Sequence, residues 1–101
     1  MINQAFQTYF AKKTYPADDI EAVYDVLAAW PHPASRELSP EAFWSIDYGI
    51  DEDDVLDMML ELFQKLNLPV FEQDEMEAIE GYEDVNAAFL VKLIQLVRSR
   101  T

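Results

Sequence analysis

Large apolar residues recur along this chain at helical spacing, and no segment alternates apolar and polar over five or more residues. Ile2, Phe6, Tyr9 and Phe10 share one face of a short helix predicted within residues 2–13, which Pro16 stops. Residues 16–30 predict a second helix, with Ile20, Val23, Tyr24, Val26, Leu27 and Trp30 as its apolar stripe. Asp18, Asp19 and Glu21 crowd its first turn, where the helix dipole favours anions. Residues 31–45 predict a loop, because Pro31, Pro33 and Pro40 forbid a continuous helix. Phe43, Trp44 and Ile46 are large and apolar, so the end of that loop is expected to pack onto the core. A third helix follows, with Asp51 as its N-cap and Asp53 and Asp54 in its first turn. Val55, Met58, Met59, Leu62 and Phe63, with Leu66, form its buried stripe, and Asn67 and Pro69 end it. Val70 and Phe71 read as an anchored linker, and residues 74–79 as one or two helical turns stopped by Gly81. The last helix is predicted from Glu83 or Asp84 to about Arg98. Its apolar positions Val85, Ala88, Phe89, Leu90, Leu93, Ile94, Leu96 and Val97 nearly encircle it, so it should be the central helix. Lys92, Arg98 and Arg100 lie toward its C-terminal end, where cations suit the dipole. The predicted class is all-α.

Composition sharpens this picture. A chain of 101 residues suits one domain, and a hydrophobic content of 50% is that of a globular protein. The charge is lopsided, with 20 acids against 7 bases for a net −13. Such a charge repels nucleic acid and anionic membranes and favours a basic protein partner. It is also localised: residues 37–84 hold sixteen acids and one base, Lys65. Asp51, Glu52, Asp53, Asp54, Asp57 and Glu61 crowd the third helix. A solvated face with dipole-favourable caps accounts for Asp51, Asp53 and Asp54, but not for the scarcity of compensating bases. The cluster is therefore the candidate partner-binding face. Trp44 and Tyr48 flank the turn before it and are candidate anchors for a partner. The other reading of Trp44 is that it plugs the end of the bundle.

Candidate chemistry is sparse. There is no Cys, so disulfides and Cys-ligated metals are excluded. His32 is the lone histidine, between Pro31 and Pro33, and cannot anchor a common zinc site by itself. The run from Asp51 fails as a calcium loop, because Leu56 stands where the sharp-turn glycine belongs and Leu62 where the bidentate glutamate belongs. No nucleophile motif and no phosphate-cradling glycine loop is present. The chain is expected to be non-catalytic, without cofactor or metal. No basic, apolar leader opens it and no apolar run spans a membrane, so the cytoplasm is the expected location.

Two segments carry a resemblance. The first is Phe43-Trp44-Ser45-Ile46-Asp47-Tyr48-Gly49-Ile50-Asp51, followed by the acidic, Met-rich stretch 55–63; the second is Ile79-Glu80-Gly81-Tyr82-Glu83-Asp84-Val85-Asn86-Ala87-Ala88-Phe89. With the order of long helix, long loop, helix, short helix and final helix, they resemble the acyl carrier protein family over about residues 16–97. The resemblance implies a bundle of four helices, the third short; residues 1–15 lie outside it as an extra N-terminal helical segment, expected to extend the core or to pair subunits through Phe6, Tyr9 and Phe10. It also implies that the acidic helix meets basic patches on partner proteins. Carriers attach phosphopantetheine to a serine directly after the Asp-x-Gly-x-Asp motif, and here that position is Glu52. Ser45, Ser35 and Ser39 lie elsewhere, away from the helix start. The chain is similar to a bacterial group of carrier-like proteins that lack this serine. With no arm to deliver an acyl chain, Met58, Met59 and Phe63 read as core. Two rival expectations remain. One is an immunity or antitoxin protein that neutralises a basic toxin; the other, ranked last because of Glu52, is a working carrier that uses an unusual serine.

Overall fold

A computed structural model describes residues 2–30 and 38–101. Among these residues the chain forms α1 (Gln4–Phe10), α2 (Ala17–Ala29), α3 (Glu52–Lys65), α4 (Gln73–Glu77) and α5 (Ala87–Ser99), with no strand. This is the all-α bundle that the periodicity predicts. The readings of Pro31, His32, Pro33, Ser35 and Glu37 lie outside the described residues.

Local chemistry sets the helix ends. The Asn3 side chain accepts a hydrogen bond from the Phe6 amide at 3.0 Å and opens α1. Asn86 does the same for α5, accepting from the Phe89 amide at 2.7 Å. The last helix therefore starts at Ala87 and not near Glu83. Glu83 and Asp84 belong instead to a turn in which the Asp84 amide donates to the Gly81 carbonyl at 3.2 Å. Gly81 enters that turn at φ +87°, a region that disfavours a Cβ. At the end of α3, Asn67 takes φ +57°, and the Leu68 amide bonds back to the Phe63 carbonyl at 2.9 Å. This is a left-handed C-cap built on asparagine, with Leu68 folded against the core.

The centre of the molecule is α5, as its nearly continuous apolar surface predicts; Leu90, Val91, Leu93, Ile94 and Val97 are all fully buried. Around it, α2 packs on both α3 and α5, and α4 packs on α5. The stripe predicted for α3 is the buried one: Val55, Met58, Met59, Leu62 and Phe63. The N-terminal segment joins the core. Phe6 and Phe10 are buried, and Phe6 meets Tyr24 edge-on with ring centroids 4.9 Å apart. Burying two such rings favours folding by roughly 1.5–3 kcal/mol each.

The strand-free connection ahead of α3 is pinned to the start of α5. The Trp44 amide donates to the Val85 carbonyl at 2.9 Å, and the Ala88 amide donates to the Pro40 carbonyl at 3.0 Å. Trp44 has 0% exposure, so of its two readings the plug at the bundle end is the one observed. Its neighbour Ile46 departs from expectation at 67% exposure. The Asp47 carboxylate accepts from the Phe43 amide at 2.7 Å, and the Asp47 amide donates to the Phe43 carbonyl at 2.9 Å. That tight bend turns Trp44 inward and leaves Ile46 outside. The linker after α3 is split in the same way: Phe71 packs on Phe63 at 5.2 Å, while Val70 is exposed.

One residue of the α2 first turn does more than favour the dipole. Asp19 is fully buried; it accepts from Arg98 Nη2 at 2.6 Å, Arg98 Nε at 3.2 Å and Gln95 Nε2 at 2.7 Å. Three donors satisfy a carboxylate that would otherwise be costly to bury. The contact ties the beginning of α2 to the end of α5.

Candidate protein interface

The site is built outward from the bend at Asp47. Gly49 takes φ +68°, which a side chain would strain, and the Ile50 amide then donates to the Trp44 carbonyl at 3.1 Å. The chain reaches Asp51 in extended conformation, and α3 begins with Glu52. Asp51 holds the N-cap position, as its residue type predicts, but its side chain makes no capping hydrogen bond. Glu52, Asp53 and Asp54 occupy the first turn, where the dipole tolerates them.

Helical period then sorts the rest of α3 into three strips. Val55, Met58, Met59, Leu62 and Phe63 face the core. Asp53, Asp57 and Glu61, each four residues apart, form one exposed acidic ridge, with half-buried Asp54 beside it. Leu56 and Leu60, one turn apart, lie between the ridge and the core stripe, and they are 47% and 37% exposed. Among the described residues, none of Asp51, Glu52, Asp53, Asp54, Asp57 and Glu61 is in an ion pair; the one base of α3, Lys65, approaches Asp25 of α2 instead, at 3.8 Å.

Leu56 also lines a cleft of about 310 Å³ between α3 and α4. Its apolar wall comes from Val55, Leu56 and Met59 of α3, Met76 of α4, and Tyr82 and Val85 ahead of α5. Its polar members are Ser45, Glu52, Gln73 and Glu83. Met59 thus serves both core and cleft, while Met58 and Phe63 are buried core residues. The fold also brings Ser45, which is remote from the helix start in sequence, to the same opening as Glu52. A second cleft, of about 370 Å³, sets Asp57 and Glu61 beside Trp30 at the end of α2.

The two aromatic candidates do not belong to this surface. Trp44 is enclosed, and Tyr48 is buried with its hydroxyl on the backbone of Ser39, accepting from the amide at 2.9 Å. Neither can anchor a partner without leaving the core. Sequence reasoning missed Leu56 and Leu60 as the exposed apolar element. Their signal was present, since the wheel of α3 sets both outside the stripe centred on Val55, Met58 and Leu62.

None of the groups with displaced protonation is among the residues that line the α3–α4 cleft. Hydrogen bonding to Arg100 holds the Glu75 carboxyl below the usual carboxylate range. Hydrogen bonding to Asp19 raises Arg98, and burial pushes the Tyr9 phenol up, with Glu41 adding to it. Each of these shifts has a structural cause, and none creates a poised acid–base pair. Among the described residues, no three His or acidic side chains converge as a metal cage, and no helix is long and apolar enough to cross a membrane. In comparison with known proteins, no family model, no curated protein and no solved structure matches the chain.

Proposed function

We propose that this protein is a non-catalytic interaction module that docks a basic protein surface through the exposed acidic face of α3. The observation that carries this reading is the ridge Asp53–Asp57–Glu61, with Glu52 and Asp54 beside it, left without ion pairs among the described residues. Four-residue spacing sets like charges next to one another, which disfavours the helix. A basic partner would relieve that repulsion and would associate quickly at low salt. The resemblance to acyl carriers supports the same use of the acidic helix. It also argues against a working carrier, since the carboxylate of Glu52 cannot form the serine phosphodiester that holds the phosphopantetheine arm.

The test is capture of partners from the native host with the full chain, at low and at high salt. The expected partner is basic and is lost as salt rises. Asp53→Lys combined with Asp57→Lys should weaken that partner by roughly tenfold or more while circular dichroism keeps its helical signal. An acidic partner, or capture indifferent to salt, would sink the proposal. A basic toxin as the captured protein would assign an immunity role under the same electrostatics.

A further inference from the structure

The α3 surface is more than a charged face, because an apolar strip runs beside the ridge and opens into a cavity. Leu56 and Leu60 are large, exposed and one turn apart, and Leu56 continues into the cleft floored by Val55, Met59, Met76, Tyr82 and Val85. Carboxylates border this apolar surface on both sides. Asp53, Asp57 and Glu61 follow the strip along α3, and Glu52 and Glu83 stand in the cleft lining.

Charge and length narrow the occupant. An aliphatic acid or a phospholipid would bring its anionic head against Glu52 and Glu83, so such ligands are disfavoured. A small cationic amphiphile would satisfy one or two carboxylates, whereas the ridge from Asp53 to Glu61 extends for about 12 Å at the helical rise. A basic segment with the same one-turn repeat as the ridge meets the whole surface. We infer that the α3–α4 cleft and the Leu56–Leu60 strip receive an amphipathic helix of the partner protein. That helix would present large apolar side chains one turn apart, flanked by lysine or arginine. This rests on the proposed docking face and adds what the partner must present there: an apolar anchor seated in the cleft, and not charge alone.

The test uses the full chain and two synthetic Leu/Lys peptides of equal composition and about five turns each. In one, leucines repeat at helical spacing along a single face; in the other, the same residues are scattered. Binding is followed by fluorescence anisotropy at several salt concentrations. The facial peptide is expected to bind roughly tenfold more tightly, because covering the exposed halves of Leu56 and Leu60 amounts to burying about one leucine. Leu56→Ser with Leu60→Ser should remove most of that preference while leaving the helical circular dichroism intact. Methionine 13C-methyl shifts should move at Met59 and Met76, which line the cleft, on addition of the facial peptide. Equal affinity for the two peptides with retained salt dependence would overturn the cleft inference and leave the acidic docking face standing. Failure of both peptides to bind at low salt would overturn the cleft inference and the acidic docking face together. Displacement of the facial peptide by dodecylammonium at equal concentration would overturn it in favour of a small cationic ligand.

Discussion

Asp57 offers a direct test of whether the acidic ridge is kept for the fold or for a partner. It is the sixth residue of α3, beyond the first turn, so the dipole gives its charge little support. Of its helical neighbours at three and four residues, Asp53, Asp54 and Glu61 are acidic and Leu60 is apolar, and Lys65 lies two turns away against Asp25. Each like-charged neighbour disfavours the helix by roughly 0.2–0.5 kcal/mol at low salt. Asp57→Asn removes three such repulsions at nearly unchanged helix propensity, so the variant should be more stable by about 0.6–1.5 kcal/mol. For a chain of this size, the middle of that range corresponds to a rise in Tm of about 4–8 °C. The measurement is thermal unfolding by circular dichroism, for both proteins, at low ionic strength and near 1 M salt. At the higher salt, screening within about 3 Å should erase most of the difference. In parallel, Asp57→Asn should bind the facial Leu/Lys peptide less tightly than the parent chain. A variant that melts lower than the parent, or a difference untouched by salt, would refute the reasoning. Asp57 would then be a structural residue, and the ridge would need no partner to explain it.

Three further outcomes follow from particular contacts. Arg98→Met should lower stability by about 2 kcal/mol, read as a lower urea midpoint at unchanged slope. Breaking a fully enclosed pair costs about 3–5 kcal/mol, but water can reach the carboxylate where the 40%-exposed Arg98 side chain stood, and Gln95 still donates to Asp19. Trp44→Ala should cost about 3–5 kcal/mol, enough to unfold most of a marginal domain; weakened docking at unchanged stability would instead return Trp44 to the interface. The Arg100–Glu75 contact fastens the C-terminal end of α5 to α4, and Arg100 Nη2 also donates to the Val70 carbonyl at 3.0 Å. Because the folded Glu75 carboxyl is depressed, its contribution is present above the ordinary carboxylate range and is lost as pH falls through the depressed value. Amide exchange in α4 should quicken over that acid window, Glu75→Gln should flatten the response, and an unchanged parent profile would dismiss the contact as what holds α4.

Helical period is a local property, and it was legible. The stripe Val55, Met58, Met59, Leu62 and Phe63, the central last helix and the concentration of acid on α3 all follow from residue order alone. So does the end of α3 at Asn67, where a short polar side chain tolerates a positive φ. Half of the candidate surface was readable in the same way, as the carboxylates of the ridge. The other half was not, because a cleft needs two walls. Met76, Tyr82 and Val85 stand twenty or more residues from Leu56, and only packing of α3, α4 and the turn ahead of α5 brings them together. Burial of single residues was equally hidden. Asp18 and Asp19 look alike in a first turn, yet one is exposed and the other is enclosed by donors from 76 and 79 residues away. Trp44 and Ile46 both predict packing, and the Asp47 bend sends one inward and the other out. The amino-acid order determined which helices form and which of their faces are apolar or charged. The tertiary structure decided which of those faces remain open, because exposure depends on neighbours that the chain supplies from far along its length.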